Sequence, residues 1–86
     1  MNRIIIDVRE PYEYDEGHVD GALNIPPAEL LAGAKKLDGV AKDAELVLYC
    51  KSGSRSNVSI QILKSLGFTN LTSGINAGQV QKKYLA

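Results

Sequence analysis

Short apolar runs with strand character alternate with short helical segments along this chain, and that alternation narrows the fold more than any other feature. Ile4-Ile5-Ile6-Asp7-Val8 is a β-branched run of the kind found in a strand buried on both faces. Pro11 suits the first turn of a helix and Gly17 its left-handed stop, which predicts a helix over residues 11–16. Ala22-Leu23-Asn24-Ile25 reads as a second strand, closed by Pro26-Pro27. Residues 28–37 place Leu30, Leu31, Ala34 and Leu37 on one helical face. Leu46-Val47-Leu48-Tyr49 is a third strand that ends at Cys50. Beyond it Val58, Ile62, Leu63 and Leu66 follow helical spacing, with Ser56 as the expected N-cap, Gly67 as the stop and Phe68 folding back on Leu63. Asn70-Leu71-Thr72 is a weaker fourth strand, and the tail from Gln79 to Leu85 is expected to be helical. Strands joined through helices run parallel, because a parallel crossover needs a long connection. The expected fold is therefore α/β: a small three-layer sandwich with a parallel sheet of four or five strands flanked by helices.

Eighty-six residues make a single domain, expected over 1–86. A chain of this size buries about 60–65% of the surface its unfolded form exposes, so the core is modest. Ten basic and ten acidic residues leave no net charge. That balance points away from nucleic acid or an anionic membrane as partner, and any affinity for anions must come from local placement. The longest apolar runs are only a few residues, too short to span a bilayer. One cysteine permits no internal disulfide and is too few for a sulfur-ligated zinc site, so no metal is expected. As written the chain reaches its first apolar run without a leader. This predicts a cytoplasmic protein, or a periplasmic one if a leader has been removed.

The segment Tyr49-Cys50-Lys51-Ser52-Gly53-Ser54-Arg55-Ser56 carries the chemistry. It lies where a buried strand hands over to a helix, at the carboxyl edge where parallel sheets bind ligands. None of residues 51–56 is proline, so every backbone N–H is available. The residues between Lys51 and Arg55 are small, so an anion can approach the backbone, and Gly53 has the widest choice of angles. The helix that follows adds donors and a partial positive charge at its N-terminus. Lys51 and Arg55 bring two cations near one thiol. Such surroundings lower a cysteine pKa from about 8.5 to roughly 3.5–7.5, which makes Cys50 the candidate nucleophile and residues 51–56 its anion cradle.

Cys-Lys-Ser-Gly-Ser-Arg resembles the active-site loop of rhodanese domains, which run Cys, two residues, Gly, one residue, Arg. Ile6-Asp7-Val8-Arg9-Glu10-Pro11-Tyr12-Glu13-Tyr14, followed by Glu16-Gly17-His18-Val19-Asp20-Gly21-Ala22-Leu23-Asn24-Ile25-Pro26, resembles the amino-terminal signature of the same family. Leu63-Lys64-Ser65-Leu66-Gly67-Phe68 is similar to the end of its catalytic helix. The resemblance covers roughly residues 4–75 and implies a thiosulfate sulfurtransferase of the compact phage-shock type. It implies double displacement: Cys50 takes the outer sulfur of thiosulfate, releases sulfite and holds a persulfide, which cyanide or a cellular thiol then removes. No cofactor is implied, and the partners are a small anionic donor and a thiophilic acceptor, a protein acceptor included. A monomer or weak dimer is expected. Many family members begin with an extra strand and helix, for which the chain as written has no room. Many also end in Gly-Gly, then Ala-Trp; here the matching stretch is Ser73-Gly74-Ile75-Asn76-Ala77-Gly78, without tryptophan.

His18 is the only histidine and invites a Cys–His pair. Its Gly-His-Val turn favours a structural role bridging loop carbonyls. Asp7 is expected to brace the rim of the site through hydrogen bonds, and Arg9 to pair with Glu13 or Glu16. Two rival classes remain at this stage. Phosphatases and arsenate reductases of related fold place five residues between Cys and Arg, whereas here four intervene, a tighter ring suited to a sulfur atom. A non-catalytic persulfide carrier or redox sensor is the other rival, disfavoured because Cys50 and both basic neighbours are present.

Overall fold

The computed structural model describes residues 3–85, so residues 1, 2 and 86 of the single domain expected over 1–86 lie outside the described residues. Four parallel strands form one sheet in the order β2-β1-β3-β4: β1 Arg3–Asp7, β2 Leu23–Asn24, β3 Glu45–Tyr49 and β4 Leu71–Ile75. Between them run α1 (Pro11–Glu16), α2 (Pro27–Leu31), a 3-10 turn (Lys35–Leu37) and α3 (Ser54–Ser65). After β4 come α4 (Ala77–Val80) and a π-helical turn, Gln81–Leu85. This is the α/β sandwich expected from the alternation, with four strands rather than five among the described residues.

Successive strand residues point to opposite faces, and that period divides the core into two layers. Ile6, Leu46, Leu48 and Cys50 pack with Leu30, Ala34, Leu37, Leu63 and Phe68 on the side of α2 and α3. Ile5, Val47 and Tyr49 pack with Val19, Ala22 and Val80 on the side of α1 and α4. The strict alternation delivers Tyr49 to one layer and Cys50 to the other. The last strand residue and the candidate nucleophile therefore belong to different layers.

Two helical expectations fail for local reasons. The helix expected over 28–37 stops at Leu31, because Gly33 (φ 111°) and Ala34 (φ 52°) both turn left-handed. The break keeps Leu30, Ala34 and Leu37 buried but turns Leu31 outward, leaving it 73% exposed. In α3 the buried face is Ser56, Ser59 and Leu63, while Val58 is exposed. Both serines fit an apolar layer because each returns its hydroxyl to the preceding turn: Ser56 to the Gly53 carbonyl (2.9 Å) and Ser59 to the Arg55 carbonyl (2.7 Å). At the far end of α3 the Phe68 N–H donates to the Leu63 carbonyl at 3.1 Å, the ending foreseen for it.

Candidate active site

The handover from β3 to α3 is made at Gly53. Its φ of 98° lies where only glycine is at ease, and it is the N-cap of the helix. Ser56 is not the cap but the third helical residue, since the left-handed turn lets the helix begin at Ser54. The same turn aims the Gly53 N–H at the Cys50 Sγ, 3.0 Å away. Cys50 itself is buried. Burial alone would push its thiol up, but the N–H groups of Ser56, Ser52 and Gly53 outweigh it and bring the pKa below the ordinary value. Of the expected contributors, the backbone donors come first, and the Arg55 guanidinium also interacts with the sulfur through its charge. Ser54 contributes the first helical position, and its hydroxyl lies 3.5 Å from that of Ser52.

The two cations of the loop differ in their engagement. Arg55 points its fork at Glu13 of α1, with Nη1–Oε1 at 2.6 Å and Nη2–Oε2 at 3.1 Å. That pairing, reinforced by the Glu10 N–H, holds the Glu13 carboxyl down at about 2. It also raises the Arg55 pKa further. Lys51 is exposed and forms no ion pair among the described residues.

Asp7, Arg9 and Tyr49 form a second polar centre on the opposite face of the sheet end. Asp7 is fully buried and accepts from the Arg9 backbone N–H (2.9 Å), from the Arg9 guanidinium (Nη2–Oδ2, 2.7 Å) and from the Tyr49 hydroxyl (2.9 Å). The Tyr49 oxygen in turn accepts the Val19 N–H at 3.0 Å. Arg9 therefore pairs with Asp7 and with the Gly17 carbonyl (2.7 Å), not with Glu13 or Glu16 as expected. A buried carboxylate two residues away has the stronger claim on it, and Arg55 already holds Glu13. His18 stacks on Tyr14, with centroids 3.6 Å apart, and its Nδ1 lies 2.9 Å from the Tyr14 carbonyl. It thus meets one carbonyl at the end of α1, and no hydrogen bond joins it to Cys50 among the described residues.

Sequence reasoning missed Tyr49 as the hub and Glu13 as the partner of Arg55. A tyrosine ending an otherwise aliphatic strand was the available signal, since a buried phenol needs a hydrogen-bond partner. Nothing in the spacing of Glu13 and Arg55, 42 positions apart, could have paired them. A cleft of about 410 Å³, bordered by Arg3, Ile5, Asp20, Leu23 and Leu85, lies at the opposite end of the strands and contains none of these site residues.

A thiol at the carboxyl end of a parallel strand, cradled by the N–H groups that open a helix, defines a class of site built to hold an anionic sulfur. Residues 1–80 match the Rhodanese-like domain, and the chain belongs to that family. Among curated proteins it is 36% identical over 84 residues to Bacillus subtilis YqhL, covering 92% of this chain and 64% of that protein. It is 33% identical over 78 residues to a putative mitochondrial thiosulfate sulfurtransferase of Schizosaccharomyces pombe, covering 79% of this chain and 55% of that one. The chain thus spans less than two thirds of the length of these relatives. A solved Escherichia coli rhodanese with anions is 30% identical, with a TM-score of 0.79 and 91% of each chain covered. The human single-domain sulfurtransferase TSTD1 is 29% identical, with a TM-score of 0.74, covering 94% of this chain and 82% of that one.

Proposed function

We propose that this chain is a sulfurtransferase that moves a sulfane sulfur from thiosulfate or a similar anionic donor to a thiol or cyanide, through a persulfide on Cys50. The observation that carries the reading is the Gly53 N–H held 3.0 Å from the Cys50 Sγ in a loop that acidifies the thiol. The Cys50 thiolate attacks the outer sulfur of thiosulfate, and a new S–S bond forms. The old S–S bond breaks and its electron pair leaves with sulfite. The resulting Cys50–S–S⁻ keeps one negative charge, which the donors of Ser52, Gly53 and Ser56 stabilise as they stabilise the thiolate. Cyanide or a thiolate then attacks the outer sulfur and Cys50 departs as thiolate, ready for another cycle. No cofactor enters either step.

The names of the S. pombe relative and of human TSTD1 support the reaction class. The four residues between Cys50 and Arg55 support a sulfur-sized ring over the wider phosphatase cradle. The test is the intact mass after thiosulfate treatment, together with thiosulfate:cyanide turnover. Wild type should gain one sulfur atom that cyanide removes. Cys50→Ser should gain none and turn over nothing, because a serine hydroxyl is too weakly acidic to ionise there. Turnover by a folded Ser variant would remove Cys50 from the mechanism.

A further inference from the structure

Beside the Cys50 loop the backbone adopts a shape that its residue type resists. Ile75, the last residue of β4, has φ 72°, an outlier for a β-branched side chain. Across it the Asn76 N–H donates to the Gly74 carbonyl at 2.9 Å, closing a γ-turn of the rare positive-φ form. The strand register also shifts here. Leu48 faces Ser73 but Tyr49 faces Ile75, so Gly74 is an extra residue. Gly74 has to be glycine, since a Cβ there would lie 2.4 Å from Val80 Cγ2. Bulges beside active sites commonly re-aim a side chain.

The side chain re-aimed here is that of Ile75. A Cβ built on Gly53 would lie 3.6 Å from Ile75 Cγ2, so the isoleucine flanks the residue whose N–H holds the sulfur. Its carbonyl also accepts the Cys50 N–H at 3.1 Å. Ile75 therefore brackets the loop from both its backbone and its side chain, while 45% of it remains exposed. Glycine or asparagine would make the same turn with less strain. The presence of isoleucine therefore points to a use for the side chain itself.

We propose that Ile75 is a specificity-determining residue: an apolar lip that favours acceptor thiols bearing an apolar group next to the reacting sulfur. For turnover this rests on the persulfide reading above. The acceptor thiolate RS⁻ attacks the outer sulfur of Cys50–S–S⁻, that S–S bond breaks, its electron pair returns to Cys50, and RS–S⁻ leaves. An apolar R group laid on the lip sheds water, whereas a small hydrated acceptor gains nothing there.

Alkylation tests the lip without any sulfur transfer. The Cys50 thiolate displaces iodide from iodoacetamide or from N-benzyliodoacetamide, forming one C–S bond in each case. Relative to free N-acetylcysteine, wild type should prefer the benzyl reagent by about three- to tenfold. Ile75→Asn and Ile75→Gly should lose that preference, the ratio of benzyl to iodoacetamide rate in each folded variant falling to that of free N-acetylcysteine. In turnover, both variants should raise KM for phenylmethanethiol about three- to tenfold relative to 2-mercaptoethanol. An unchanged benzyl preference in both variants would overturn the lip. So would an equal loss with both reagents, which would make Ile75 a support for the loop. Loss of the preference in a protein that never forms a persulfide would uphold the lip and overturn sulfur transfer.

Discussion

The molecule contains two arginine–carboxylate forks, Asp7–Arg9 and Glu13–Arg55, and they are built to different ends. In the first, the carboxylate is fully buried and the whole contact is made within one strand end and its turn. Three further bonds, to the Arg9 N–H, the Tyr49 hydroxyl and the Gly17 carbonyl, complete it. In the second, the side chains are 34% and 14% exposed, and the contact joins α1 to the first turn of α3. Among the described residues no buried side-chain polar atom lacks a partner, so the first fork is a closed unit. The second is open to solvent and lies beside a thiol. The difference separates a fork that holds the sheet end in shape from one that sets the charge around the sulfur.

The largest effect expected from breaking this contrast is at Asp7. Asp7→Ala strands the Arg9 guanidinium and the buried Tyr49 hydroxyl together. Removing one partner of a buried pair costs about 3–5 kcal/mol, a large share of the 5–15 kcal/mol that typically holds a domain together. Urea denaturation should show that loss in full. A variant within about 1 kcal/mol of wild type would mean that this centre is no more structural than a surface pair.

Much of this fold is legible in the sequence, because periodicity reports on faces directly. Ile6, Leu46 and Leu48 alternate into one layer as their positions require, and Cys50 follows from the same count. What could not be read depends on single backbone angles or on residues far apart. Leu31 left the core because Ala34 turned left-handed, and Ser56 lost the cap because Gly53 took it. Arg9 went to Asp7 because burial, which no local pattern reports, made that carboxylate the needier partner. The Cys50 loop was visible as a motif, but the Glu13 carboxylate facing its arginine was not.

A middle-sized effect is expected at the open fork. Glu13→Gln removes a negative charge from Arg55 while leaving it a carbonyl to donate to. The thiol of Cys50 should then alkylate at lower pH, and the thiosulfate KM should fall about two- to fivefold, the scale of a partly exposed pair. A rise in KM would show instead that Glu13 is needed to orient Arg55 onto the donor. The carboxyl sits at about 2 in the fold, below the ordinary 4.5. The stability it contributes is therefore present above pH 4.5 and lost as pH falls toward 2. An acid-unfolding curve for Glu13→Gln should be flatter across that window.

The smallest effect is expected at Lys51, and it shows best how far the two loop cations differ. Lys51 is exposed and forms no ion pair among the described residues, and the leading groups that acidify the thiol are N–H donors. It can act on a dianion only through the field it adds at the mouth of the site. Lys51→Ala should therefore raise the thiosulfate KM about two- to threefold at low ionic strength, on the scale of a single exposed charge. At about 0.5 M salt the Debye length falls to about 4 Å and the difference should disappear. Arg55→Ala should behave otherwise. It leaves the Glu13 carboxylate unpaired near the sulfur, so part of its defect should survive high salt. If Lys51→Ala kept its full defect at high salt, the lysine would be touching the donor directly. The backbone cradle would then be only half of the anion site.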